Sequence, residues 1–372
     1  MAVGDPGGRR LRGVFRVAGD GAQAWHPGGS GVRSLVGHRS GADRGAGPLP
    51  VPRSLHPGDG RRGGADRGRG VPDGDGCARV SHDLPHRQPD LADIIATLEV
   101  ERIDDEHFVA TQMDNPIHHI VGGHIAGQAL IAASRTAPGR VPHSLHVYYL
   151  RAGDARRPVE MHVEVARDGG TLSTRQVTAR QDGQILLEVL SSFTTAVDAP
   201  EYQQPLPEVP DPDSLPSSQD QHAAYADELG GYWVQPHPFD VRYIDAPPRV
   251  AMDSGEPSPR LRMWWRPVDA VPADPVMHSA LLTYLSGTKM VEAALAMRRT
   301  NQAATFNALI DHALWFQRPV DLSDWVLSDQ FTPSGIAGRG LTTSTMYNRA
   351  GQLVCVATQE LYFGRGGIRR PT

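Results

Sequence analysis

The chain has 372 residues, 39% of them hydrophobic, and a formal net charge of −5 that conceals two unlike parts. Residues 1–80 hold 21 of the 40 glycines, 13 basic residues and seven aspartates, with no Glu, Lys, Ile, Tyr, Asn or Thr; this tract carries +6 and cannot bury much of a core. The remainder carries −11, which argues against nucleic-acid binding by the folding part, and the chain's two cysteines, Cys77 in the first tract and Cys355 in the remainder, support neither a disulfide framework nor a Cys-based zinc site.

Residues 1–88 read as a tract without a fold of its own. Either translation is assigned to begin too far upstream or out of frame, or the tract is a basic arm whose clustered arginines over 61–69 meet an acidic partner. From Leu91 onward, secondary-structure periods appear, and a first module is assigned to 89–198. An opening strand is expected over 99–111, then a helix over 119–134 that begins with glycines and continues with Ala, Ile and Leu at helical spacing. Strands follow at 144–151, at 159–165, where Val159, Met161, Val163 and Val165 alternate with polar residues, and at 172–180 and 184–193 around the hairpin signal Asp182-Gly183.

Residues 199–235 read as a linker, exposed at least over the Pro-, Asp- and Ser-rich stretch to 218. The second module, 236–372, repeats the order: an opening strand at 260–267, a helix at 275–286, and strands at 308–317, 325–331, 341–347 and 352–363. His143 corresponds to His312, and the turn at Gly183 to that at Gly351, at an offset of about 168 residues. The chain therefore reads as an α+β protein of two tandem modules, each an antiparallel sheet wrapped around a central helix. No run of 18 apolar residues is present to span a membrane, and the expected setting is soluble and cytoplasmic.

Several segments resemble one family. Val121-Gly122-Gly123-His124-Ile125-Ala126-Gly127-Gln128-Ala129-Leu130, His143-Ser144-Leu145-His146, Tyr149-Leu150-Arg151-Ala152-Gly153-Asp154 and Arg167-Asp168-Gly169 are similar to the first half of acyl-CoA thioesterase II (TesB-like) proteins. Ile310-Asp311-His312-Ala313-Leu314-Trp315-Phe316-Gln317-Arg318-Pro319 and Gln359-Glu360 are similar to the second half, in the same order. The resemblance implies a double hotdog fold, acyl-CoA as substrate, hydrolysis to a free acid and coenzyme A, and self-association into a homo-oligomer; neither a cofactor nor a metal is expected.

It also implies a catalytic trio: an Asp on the second helix, a Thr or Ser before the Asp-His pair, and a Gln on the last strand. The Gln is Gln359, but the other two positions are Gly287 and Leu309. An amide holds water by hydrogen bonds and cannot take its proton at neutral pH, whereas a carboxylate can. Substitutes for the missing base are Glu292, Asp311, His312 and His124. Each also has a plainer reading, Glu292 as a solvated helix charge, Asp311 and His312 as structural strand residues, His124 as a packing residue. Ser286 and Thr288 flank Gly287 and offer hydroxyls to a water.

On the substrate side, Gly122 and Gly123 offer backbone N–H groups to a thioester oxygen or permit close helix packing. His124, Gly287 and Leu309 fall beside the same segment, and Arg151, Arg156, Arg157, Arg298 and Arg299 are candidates for the coenzyme A phosphates or ordinary surface charge. A different hotdog chemistry is the minor alternative at Asp114-Asn115-Pro116-Ile117-His118, which is one residue short of the enoyl-CoA hydratase signature, so that its Asp and His would not converge in the same way, and which reads more simply as a turn. A non-catalytic acyl-CoA-binding protein is the further alternative.

Overall fold

The computed structural model describes residues 89–113, 115, 118–254, 257–298 and 307–364. The readings of the 1–88 tract, of Asp114 and Pro116 in the hydratase-like segment, of Cys77 and of Arg299 lie outside the described residues.

The first module opens with α1 (Leu91–Leu98), started by a reciprocal cap in which Asp90 accepts the Asp93 N–H and Asp93 accepts the Asp90 N–H. The single opening strand expected over 99–111 is instead a small hairpin of β1 (Glu101–Arg102) and β2 (His107–Ala110). Asp104 causes the break: one carboxylate oxygen accepts the N–H groups of Glu106 and His107, each at 2.9 Å, and closes a turn. After it come α2 (Gly122–Arg135), β3 (Val141–Tyr149), β4 (Val159–Asp168), β5 (Leu172–Gln181) and β6 (Gln184–Thr194). Asp182 at φ 51° and Gly183 at φ 74° make the two-residue turn joining β5 to β6, and left-handed backbone at both positions matches the twist of a hairpin.

The connection carries a short helix α3 (Ser218–Gln221) and 3₁₀ turns. Most of 199–218 is exposed, as expected, but the segment is not a free tether. Leu206, Val209 and Leu215 pack on a cluster of Trp264, Trp325, Leu327 and Tyr347, and Arg349 holds Asp211 and Asp213. The second module then follows: β7 (Phe239–Tyr243), α4 (Pro248–Ser254), β8 (Arg260–Pro267), α5 (Pro275–Lys289), α6 (Val291–Arg298), β9 (Asn307–Phe316), β10 (Val326–Ile336), β11 (Arg339–Asn348) and β12 (Leu353–Phe363). Pro275 at the first helical position and Asp274, accepting the Val276 N–H at 3.0 Å, start α5.

All twelve strands form one antiparallel sheet in the order β1-β2-β4-β5-β6-β3-β9-β12-β11-β10-β8-β7. The modules meet at β3 and β9, where residues 144–148 run opposite 315–311. Helices α2 and α5 lie together against the concave face, in a core that includes Leu98, Ile125, Leu130, Leu281, Leu285 and Leu314. This is the double hotdog architecture.

The two helices approach through glycine. A Cβ on Gly123 would stand 2.5 Å from the Tyr284 carbonyl oxygen and 3.2 Å from the Gly287 Cα, and a Cβ on Gly287 would stand 2.7 Å from the Gly123 Cα. These neighbours are backbone and cannot swing aside, so any side chain here forces the helices apart. Gly123→Ala and Gly287→Ala should each lower unfolding free energy by about 1–3 kcal/mol in denaturant titration. Gly170→Ala, where an added Cβ meets nothing within 4 Å, should change it by less than about 0.5 kcal/mol.

Candidate active site

Below the helix crossing, strands β9, β12 and β11 present three polar side chains in a row. His312 lies opposite Gln359, and Gln359 opposite Thr342. Residues paired across neighbouring strands point to the same face, and all three are fully buried. Among the described residues His312 Nδ1, both amide atoms of Gln359 and Thr342 Oγ1 have no hydrogen-bond partner. Four such atoms on one row are unusual, because buried polar groups are nearly always satisfied by protein or by water.

A bulge decides which residues of β9 reach this face. Glu360 pairs with Asp311 but Leu361 pairs with Leu309, so Ile310 is an extra residue in the ladder. Leu309 and His312 therefore both face the helices, three positions apart, while Asp311 turns to the opposite face. There Asp311 accepts the Glu360 N–H at 3.2 Å, and burial followed by the Glu360 charge raises its pKa.

Helix α5 supplies the roof. The Ser286 hydroxyl donates to the Thr283 carbonyl at 3.1 Å and lies 3.3 Å from His312 Nε2. At Gly287 an added Cβ would lie 3.7 Å from His312 Cε1, so the glycine stands directly over the imidazole. Leu309 packs with Val291, Ala294, Leu295, Leu361 and Phe363, and its Cδ1 would be 2.7 Å from a Cβ on Gly122. Gly122 and Gly123 begin α2, where backbone N–H groups have no partner within the helix, and Tyr149 Oη donates to the Gly122 carbonyl at 3.0 Å.

The remaining candidates are engaged elsewhere. Glu292 is buried, not a solvated helix charge: it accepts from Tyr243 Oη at 2.8 Å and Lys289 Nζ at 2.9 Å. Burial disfavours the Lys289 ammonium, but the Glu292 carboxylate outweighs this and raises its pKa. The pair lines a partly open pocket with His222, Tyr232, Trp233 and His237, a lining that includes neither His312 nor Gln359. His124 Nε2 lies 3.0 Å from Thr97 Oγ1 under α1, and Thr288 donates back to the Leu285 carbonyl at 3.0 Å.

Of the arginines, Arg151 is exposed and donates to the Ile185 carbonyl at 3.0 Å. Arg156 pairs with Asp154 at 2.6 Å, Arg157 pairs with Asp182, and Arg298 lies over the Phe363 ring. Among the described residues no cluster of three or more His, Cys, Asp or Glu side chains is arranged to hold a metal ion. No helix among them is long and apolar enough to cross a membrane.

The tandem pair of hotdog modules places the chain among thioesterase-type proteins. The family model for acyl-CoA thioesterase matches residues 237–362, and that for the acyl-CoA thioesterase N-terminal domain matches 111–196. Acyl-coenzyme A thioesterase 8 of Mus musculus is 30% identical over 306 residues, 78% of this chain and 95% of the mouse protein. Among solved structures, the tesB protein of Mycobacterium avium subs paratuberculosis is 41% identical with a TM-score of 0.63, covering 74% of this chain and all of that one. Acyl-CoA thioesterase II TesB2 from Mycobacterium marinum is 32% identical with a TM-score of 0.60, covering 75% of this chain and 99% of that one. The chain belongs to the TesB-like acyl-CoA thioesterase family and is a thioester hydrolase by descent.

Burial pushes both His124 and His312 down to about 3 from the ordinary 6.5. Between those values the unfolded chain binds a proton at each site that the folded chain does not, so stability falls as pH drops through 6.5 towards 3. Melting temperature should therefore decline from about pH 7 to 4.5, above the carboxylate range, and His124→Gln should flatten the slope by up to one proton. A melting temperature constant over that interval would contradict the burial of neutral imidazoles.

Proposed function

We propose that the protein hydrolyses acyl-CoA thioesters to a free carboxylic acid and coenzyme A on the concave face of β9, β12 and β11 below Gly287. The observation that carries this reading is Gln359: fully buried, with its amide N–H₂ and carbonyl both unpartnered, at the position to which the resemblance carries the family's glutamine. Such an amide both donates to and accepts from one water molecule, holding it for attack on a thioester carbonyl. The N–H groups at the start of α2 are suited to the developing oxyanion. The apolar cluster around Leu309, Leu295 and Phe363 offers a dry wall for the acyl chain.

The same reading includes self-association and a cytoplasmic setting. Tyr148, Leu150 and Leu190 expose about half or more of their surface on or beside β3 and β6, which favours a partner surface. The buried free thiol of Cys355 fits a reducing compartment. A second reading, an acyl-CoA-binding protein without turnover, has one observation in its favour: Gly287 and Leu309 remove the carboxylate and hydroxyl of the family trio.

Thiol release from short, medium and long acyl-CoA esters separates the two. The hydrolase reading expects turnover with at least one chain length and a loss of roughly 100-fold or more in kcat for Gln359→Ala. Acyl-CoA that raises the melting temperature without any thiol release would establish the binding protein instead.

A further inference from the structure

We infer that His312 is the base of this enzyme, taking the proton of a water held jointly by Gln359 and Thr342, with Ser286 as the positioning residue that fixes the imidazole tautomer. The inference rests on the proposed hydrolysis and assigns the step that Gly287 and Leu309 leave without a base.

The tautomer follows from hydrogen-bond bookkeeping. Ser286 has one hydroxyl proton, and the Thr283 carbonyl receives it. Toward His312 the Ser286 oxygen can then only accept, so the ring proton sits on Nε2. His312 Nδ1 is left with a lone pair, fully buried and unpartnered, beside two unpartnered atoms of Gln359 and one of Thr342. Base, orienting group and water-holding groups thus occupy adjacent positions of the fold. No carboxylate competes for the role among the described residues: Glu292 is held by Lys289 and Tyr243, and Asp311 is on the other face of the sheet.

The chemistry balances without any further group. Water oxygen attacks the thioester carbonyl carbon while its proton passes to His312 Nδ1, leaving a tetrahedral oxyanion. Collapse breaks the C–S bond, and the imidazolium returns the proton to the departing thiolate. The products are a carboxylic acid and a thiol. The groups packed around the imidazole are Ser286 and Gly287 from α5, Gln359 from β12 and Val147 from β3, none of them ionisable in the working range. Burial alone depresses its pKa, so the base stays unprotonated well into acid.

The test is steady-state thiol release by the full chain and by His312→Gln, Thr342→Val and Ser286→Ala, with Gln359→Ala alongside. His312→Gln keeps a hydrogen-bonding side chain but cannot carry the proton, and should lower kcat by roughly 100-fold or more with KM within a few-fold. Thr342→Val should lower kcat by roughly tenfold. Ser286→Ala should do the same with KM unchanged, and Ser286→Thr should restore it; this pair keeps the inference testable should His312→Gln fail to fold. In the wild type kcat/KM should hold level from about pH 8 to 5, where an imidazole of ordinary pKa would lose roughly 30-fold. His312→Gln at near wild-type kcat, while Gln359→Ala is inactive, would overturn the inference and leave the hydrolase reading standing. Absence of turnover in the wild type would overturn both.

Discussion

Helices α2 and α5 touch at Gly123 and Gly287 with backbone against backbone, and that contact governs what the site can contain. Two helices on one face of a sheet cross this closely only where the contact has no side chains, and glycine is the residue that allows Cα atoms to meet. One consequence is chemical. The position at which the family's resemblance would supply a carboxylate is the position at which any side chain would strike the Gly123 backbone. The helix cannot carry an acid at that point without moving away from its neighbour, which is why the proposed water activation is placed on the sheet below.

Leu309 belongs to the same substitution. Where the resemblance implies a hydroxyl that would complement a carboxylate, this chain has a leucine packed among Val291, Ala294, Leu295, Leu361 and Phe363. A lone hydroxyl in that cluster would be a buried polar atom without a partner, at a cost of about 1–3 kcal/mol. Loss of the acid and loss of the hydroxyl are therefore mutually consistent. What persists is the polar row on the sheet, which would be costly to keep in a protein that used it for nothing: four unpartnered buried atoms of His312, Gln359 and Thr342 oppose folding unless water satisfies them.

Much of this arrangement was legible in the sequence. Alternation in β4, the Asp182-Gly183 turn and the repeat of one helix followed by four strands gave the tandem modules, because these features depend on local periodicity and turn chemistry. Gln359 was reached through a motif. Other features were hidden because they depend on register. Counting back from the Gly351 turn at a constant register, with Tyr347 opposite Leu353, sets Leu341 opposite Gln359; a bulge at Val354 shifts the ladder by one and puts Thr342 there instead. The bulge at Ile310 likewise sends His312 inward and Asp311 outward, a distinction that two adjacent residues in a motif cannot reveal. Glu292 read as surface charge because its partners, Lys289 three residues on one side and Tyr243 far away in sequence, meet only in the folded chain. The connecting segment read as exposed from its Pro and Asp content, although Leu206, Val209 and Leu215 find a tryptophan-lined surface on the second module.

On the proposed chemistry, the row below Gly287 holds one water against an imidazole lone pair. A crystal structure at a resolution that shows ordered solvent tests it without reliance on turnover. A single well-ordered water is expected within hydrogen-bonding distance of His312 Nδ1, the Gln359 amide and Thr342 Oγ1, with His312 Nε2 directed at Ser286. A rotated imidazole whose Nδ1 is bonded to Gln359 or to Ser286, with no water on the row, would contradict it.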